Sequence, residues 1–365
     1  MRIMHLNSEL FLGGGLERII VDLMIKNNKT PSYLCVINDR WSKEYIEMLN
    51  KDSLLLCNRR EGTRNPIINL RTIYKTCRFM TKNNVDIIHC HDTFSLKFAY
   101  LLKKMMKVKV VFTVHDTKIY NENLNKYPVD KYIAISKAVY KTVSKYVPEE
   151  KIKLIYNGVN LEKFGSSIEL SNKNKDVLNI ACVARIVPEK KGQDILIKSL
   201  NILRNQYGYT DFNCFFAGAA TDQKQIDQLN DLILQYHLEK NVKFLGNIEN
   251  IERVYADTDI FVLPSRYEGF GLVVVEALAA GCTVIVSKLE GPLEIVKENE
   301  EYGLCFKKED YKELAEKLYR LVSDEDYRKQ YEKNNKTTEY LEREYSLENM
   351  IKRYNEAYRE LYINI

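Results

Sequence analysis

The chain is poor in tryptophan (one), proline (seven) and histidine (five), and it has no uninterrupted apolar run of spanning length. The longest nearly uncharged stretch, 269–287, carries Glu276 in its middle and Gly281 as a breaker. It therefore reads as helix, turn and strand, since a membrane span needs about 20 predominantly apolar residues. The low glycine and proline content excludes collagen-like and disordered classes, and no solenoid-period repeat or low-complexity tract is present. The apolar run 1–6 is too short for a signal peptide. None of the eight cysteines, at 35, 57, 77, 90, 182, 214, 282 and 305, pairs at metal-binding spacing. Most sit in apolar runs, which predicts reduced, buried thiols, a cytoplasmic location and neither a disulfide framework nor a zinc site. Interleaved aromatic and basic residues are also missing, which argues against a nucleic-acid partner.

What is present is ordinary globular composition over 365 residues, enough for about two domains at roughly 150 residues each. Charge is uneven. Residues 1–165 hold 28 basic and 16 acidic side chains, a balance of +12, while the remainder holds 27 and 34, a balance of −7. A basic first half suggests an anionic counterpart, such as a phosphorylated acceptor or a membrane surface. Two segments concentrate this charge: the loop with Arg59, Arg60 and Arg64, and the stretch with Lys103, Lys104 and Lys107. Both are expected on the acceptor or membrane side.

Short apolar runs alternate with longer amphipathic stretches. Strand candidates are 2–6, 32–37, 53–57, 87–89, 109–114 and 131–135, then 179–183, 213–217, 242–245, 260–263, 283–286 and 303–306. Helical patterns at 16–26, 68–82, 95–106, 193–206, 223–236 and 273–280 fall between them, so the spacing predicts βαβ units on parallel sheets. The expected organisation is a first doubly wound domain over 1–165, a polar linker over 166–176, a second over 177–345, and a C-terminal helix over 346–365 packing back on the first domain. Ligands bind outside the carboxyl ends of strands in such sheets, here in a cleft left by the two domains.

The motifs fall at those ends. Glu268-Gly269-Phe270-Gly271-Leu272 through Glu276 follows the strand candidate 260–263. The glycines let a ligand approach the backbone, and the helix that follows aims N–H groups at phosphate. With Glu276 two turns into that helix, eight residues advance it by ~12 Å, too far for a shared proton. The two carboxylates can instead grip hydroxyls of one extended nucleotide sugar, Glu268 at the sugar and Glu276 at the ribose. Arg185 and Lys190 or Lys191 lie on the loop after 179–183 and can bracket a diphosphate. Gly14 and Gly15 precede the first helix without completing a G-x-G-x-x-G pattern. His115-Asp116 ends one strand, and His89-Cys90-His91-Asp92 ends another. Two histidines on one strand face leave a metal site open as an alternative to a sugar site. Asp257-Thr258-Asp259 imitates a metal-binding D-x-D motif, but its place before a strand predicts a corner.

Taken together, these motifs resemble the retaining glycosyltransferases of family 4, whose E-x7-E signature matches Glu268 to Glu276, with Gly-Phe-Gly inside it. Ala277-Leu278-Ala279-Ala280-Gly281 continues the likeness, and Gly14, Gly15 and Glu17 match the family's G-G-x-E turn. The resemblance implies the GT-B architecture: an α/β protein of two facing Rossmann-like domains, acceptor on the first and donor on the second. It implies transfer of a hexose-type sugar from a nucleoside-diphosphate donor, UDP-linked by expectation, to a glycan or lipid-linked acceptor in bacterial surface polysaccharide synthesis. His115 and Glu268 would be catalytic. Arg185, Lys190, Lys191, Glu268, Gly269, Phe270, Gly271, Leu272, Glu276, Gly14 and Gly15 would hold the donor, with Ile248 beside the base. No cofactor and no essential metal are implied, and His89 falls to the core. Rival readings are a nucleotide-sugar epimerase on the same fold and a non-catalytic binder of anionic surfaces.

Overall fold

Each apolar run named above is bounded by turn residues, and all twelve become strands of two parallel sheets in the computed structural model of the protein. The structure describes residues 1–11, 15–166, 177–220, 222–332 and 334–363. The chain forms two compact units, Met1–Gly158 with Leu347–Ile365, and Val159–Ser346.

In the first unit the chain runs β1 (Ile3–Asn7), α1 (Gly15–Lys26), β2 (Ser32–Asn38), α2 (Lys43–Glu47), β3 (Leu54–Arg59), α3 (Pro66–Asn83), β4 (Ile87–Cys90), α4 (Thr93–Met105) and β5 (Lys109–Val114). It continues through β6 (Lys131–Ala134), α5 (Lys137–Val143) and β7 (Ile152–Leu154). Strand order is β3-β2-β1-β4-β5-β6-β7, with Ile3 opposite both Ser32 and Ile87. The strand order reverses between β1 and β4, the switch point where such sheets bind ligands. β1 and β4 are wholly buried, as strands covered by helices on both faces must be. β7 is not among the expected strands, because Lys151 and Lys153 break up its apolar run.

The second unit holds α6 (Leu161–Gly165), β8 (Leu178–Val183), α7 (Pro188–Lys191), α8 (Gln193–Asn205), β9 (Phe212–Ala217), α9 (Gln223–Gln235), β10 (Val242–Gly246) and α10 (Ile251–Ala256). Then come β11 (Ile260–Leu263), α11 (Leu272–Ala279), β12 (Thr283–Ser287), α12 (Glu290–Val296), β13 (Leu304–Phe306), α13 (Tyr311–Ser323), α14 (Glu325–Lys329) and α15 (Asn335–Tyr345). The order β10-β9-β8-β11-β12-β13 puts its switch point between β8 and β11. Phe212, Phe216, Leu229, Leu314 and Leu318 are among the residues that form its core.

The units divide at Gly158 and Val159, earlier than the expected boundary at 165, because α6 packs against α10 and α11. The remaining residues of the expected linker, 167–176, lie outside the described residues. The last helix, α16 (Leu347–Tyr362), belongs to the first unit. Its Tyr354 and Tyr358 are fully buried, and Asn355 bonds Asn27 and Thr30. Among the described residues no helix is long and apolar enough to cross a membrane.

Candidate functional site

Two loops meet at the carboxyl ends of β8 and β11. The first carries Arg185, Lys190 and Lys191, and the second carries Arg266 to Phe270. Lys191 Nζ donates to Glu268 Oε2 at 2.6 Å, joining the two sequence motifs. The backbone N–H groups of Arg266 and Tyr267 donate to the Lys190 carbonyl at 2.9 and 3.2 Å. At Gly192, φ is +68° and a β-carbon would stand 2.0 Å from the Pro264 carbonyl oxygen, so only glycine lets the loops come this close. Gly291 plays a similar part, because a β-carbon there would lie 2.7 Å from the Gly269 carbonyl oxygen. Arg185 and Lys190 are solvent-exposed, and Ile248 is half-buried on the loop after β10.

Sequence reasoning missed the staple that holds this arrangement. Arg266 makes a bidentate pair with Asp194 at 2.6 and 2.9 Å, donates to the Pro188 carbonyl at 2.8 Å, and reaches Glu309 at 3.0 Å. Burial alone would raise the Asp194 carboxyl, yet Arg266 and Lys198 hold it below its ordinary value. Two buried oxygens beside these loops, Gln193 Oε1 and Ser265 Oγ, have no hydrogen-bond partner. Arg266 lies two residues ahead of the Glu268 motif, and nothing local marks its partner 72 residues away.

Helix starts give a second signal. A side chain caps α2, α3, α4, α5, α6, α9, α13, α14 and α15. No side chain caps α7, α8, α10, α11 or α12. All five begin after the carboxyl ends of β8, β10, β11 or β12. Leading N–H groups left without a capping side chain, with the positive end of the helix dipole behind them, suit an anion.

Several expected contacts need correction. α11 starts at Leu272, with Gly271 at φ +98° before it, so Glu276 is the fifth helical residue and lies about one turn in, not two. Glu276 is 5% exposed, and its Oε2 accepts from the buried Tyr255 hydroxyl at 2.8 Å. The Phe270 ring is 3% exposed and packs against Tyr345, with ring centres 5.6 Å apart, so only its backbone can face a ligand. Leu272 is half-buried. Asp259 accepts from the Asn179 backbone N–H, at the amino end of β11, as a corner residue does.

In the first unit the histidines form a chain. His5 Nδ1 lies 3.0 Å from His91 Nε2, and His91 Nδ1 lies 3.4 Å from His115 Nε2. His89 bonds the Tyr358 hydroxyl at 2.7 Å and Thr113 at 2.6 Å. Burial lowers all four pKa values, His5 and His115 to about 3, so the rings are neutral near pH 7. His5, His89 and His91 bring ligand nitrogens within 4.8 Å of one another, but both nitrogens of His89 and of His91 already have partners. Only His5 Nε2 has none. A buried N–H without a partner is rarer than an unused lone pair, so the proton of His5 belongs on Nδ1. His91 then accepts at Nε2 and donates from Nδ1, and His115 accepts at Nε2 and presents Nδ1–H. Beside this chain a cavity of about 460 Å³ is lined by His91, Asp92, Lys97, Asn121 and Tyr127 among others.

The remaining basic candidates divide. Arg60, Arg64, Lys104 and Lys107 are exposed. Arg59 is not an outward-facing group. It is 6% exposed and donates to Asn69, Asn38 and the Thr63 carbonyl, fixing its own loop. Lys103 is half-buried against Asp130 at 2.5 Å. Gly15 opens α1, and Gly14 lies outside the described residues.

Residues 54–163 match the model described as Glycosyltransferase Family 4, and 166–338 match Glycosyl transferases group 1. An uncharacterised glycosyltransferase of Methanocaldococcus jannaschii is 30% identical over 302 residues, 75% of each chain. The UDP-Gal:alpha-D-GlcNAc-diphosphoundecaprenol alpha-1,3-galactosyltransferase of Escherichia coli is 26% identical, over 71% of this chain and 72% of its own. Among solved structures, Anabaena HepE in complex with UDP and glucose superposes with a TM-score of 0.82 at 20% identity, covering 98% of this chain and 99% of its own.

Proposed function

The chain belongs to the family 4 glycosyltransferases, on the GT-B fold, and we propose that it is a retaining hexosyltransferase using a UDP-linked sugar. The observation that carries this is the set of uncapped helix starts after the carboxyl ends of the second unit's strands, together with Arg185, Lys190 and Lys191 on the loop after β8. Glu268, fixed by Lys191, faces the sugar, Ile248 lies beside the base, and Glu276 holds the ribose from within α11. The Escherichia coli relative, whose name pairs a UDP sugar with a diphosphoundecaprenol acceptor, supports a lipid-linked acceptor and a role in surface polysaccharide synthesis. The acceptor enters the cavity beside His91, and His115 is the catalytic residue that the first unit supplies.

In the reaction the bond from the anomeric carbon to the diphosphate oxygen breaks. The acceptor oxygen bonds the same face, and its proton passes to the leaving phosphate. Arg185, Lys190, Lys191 and the helix N–H groups stabilise the charge that develops on the leaving group. Such a site needs no essential metal, so turnover should persist in EDTA, and loss restored by Mg²⁺ or Mn²⁺ would contradict that. Arg185→Ala should weaken UDP binding by about 10- to 150-fold, or roughly 1.5–3 kcal/mol, in a calorimetric titration. NMR of UDP-sugars with polyprenyl-linked glycan should show acceptor-dependent UDP release and an axial product linkage. Epimerised UDP-sugar without acceptor would instead establish an isomerase.

A further inference from the structure

Exposed apolar side chains are concentrated on two neighbouring helices of the first unit. Of the twelve large apolar residues most exposed among the described residues, six lie on α3 and α4, which pack against each other. Ile67, Leu70 and Tyr74 are 73%, 66% and 67% exposed, and Met105 is 63% exposed. The spacing i, i+3, i+7 puts the α3 residues on one stripe about 10 Å long. Arg71 and Arg78 border it.

The two helices themselves carry charge of one sign. Neither α3 nor α4 contains an acidic residue. Residues 62–109 hold ten basic side chains and two acids, Asp86 and Asp92. Both acids are occupied by the backbone: Asp86 accepts from Arg2, and Asp92 accepts from Ser8 and Ser95. Lys75 and Lys103 are also engaged, at the Leu56 carbonyl and at Asp130. Arg64, Arg71, Arg78, Lys82, Lys104 and Lys107 are exposed and form no ion pair among the described residues.

We propose that α3, with α4 beside it, is a docking surface for an anionic lipid bilayer. Ile67, Leu70 and Tyr74 enter the boundary between headgroups and acyl chains, and the flanking bases contact lipid phosphates. Protein partners offer fixed carboxylates to fixed bases, whereas here long, unpaired cations border an apolar stripe, the pattern of a helix lying in an interface. The surface rests on the glycosyltransferase reading only for its purpose, which is to bring the first unit to a lipid-linked acceptor.

The test is co-sedimentation of the full chain with phosphatidylglycerol-containing and pure phosphatidylcholine vesicles, with UDP binding measured in parallel. Binding should need the anionic lipid and be lost at high salt, because each base near the surface contributes about a fivefold gain. Ile67→Ser with Leu70→Ser and Tyr74→Ser, and separately Arg71→Glu with Arg78→Glu, should each lower partitioning at least about tenfold. These residues are exposed, and UDP affinity should be unchanged in both variants. Equal binding to both vesicle types, or anionic binding that survives both variants, would overturn the proposal. So would concentration-dependent self-association abolished by the serine variant, which would make the stripe a contact between copies. Vesicle binding without UDP binding would leave this surface standing and remove the enzyme reading instead.

Discussion

Under the proposed function, the part His115 plays depends on which ring nitrogen carries the proton. The chain from His5 through His91 fixes it, because only one direction of donation leaves no buried N–H unpaired. With only five histidines, selectively ¹⁵N-labelled protein should show His5, His91 and His115 as neutral Nδ1–H tautomers at pH 7. An Nε2–H tautomer at His115 would contradict the nitrogen accounting. The same burial predicts a pH dependence of stability. An unfolded imidazole takes a proton below about pH 6.5, while His5 in the fold resists it until about pH 3. Over that window the unfolded state binds more protons, so stability falls as pH falls, by about 1.4 kcal/mol per pH unit for this residue alone. Urea midpoints at pH 7.5 and 5.5 should show the loss, and His5→Gln should flatten the slope.

Among the elements, the contact of the β8 and β11 loops can be tested at its tightest point. Gly192→Ala adds both a strained φ and a clash with Pro264, and should cost at least about 2 kcal/mol. Gly246→Ala, at φ +69° with nothing within 4 Å, adds the strain alone and should cost only about 1 kcal/mol. Equal losses in denaturant unfolding would mean that the close approach does not matter. Glycines, bases and carboxylates grouped after apolar runs made these loops legible in the sequence, since each motif is local. What stayed hidden is long-range. Arg266 finds Asp194 across 72 residues, and Glu276 finds Tyr255 across 21. Arg59 looks like its neighbour Arg60 until folding buries it against Asn38 and Asn69. The stripe on α3 was equally invisible, because an amphipathic helix shows its period but not that its second apolar sector remains bare.

Over the whole molecule, charge follows the structural units. The first, including α16, holds 30 basic and 18 acidic residues, and the second holds 25 and 32. Those balances are +12 and −7, and the second unit, acidic overall, is nonetheless basic on the loop that carries Arg185, Lys190 and Lys191. The central claim is that a nucleoside diphosphate sits on the uncapped helix starts of the second unit. Hydrogen–deuterium exchange of the full chain with and without saturating UDP tests it most directly. The strongest slowing should fall in 184–194 and 266–275, where backbone N–H groups would donate to the diphosphate. Unchanged exchange in both segments at saturating UDP, or strongest protection elsewhere in the chain, would contradict the account.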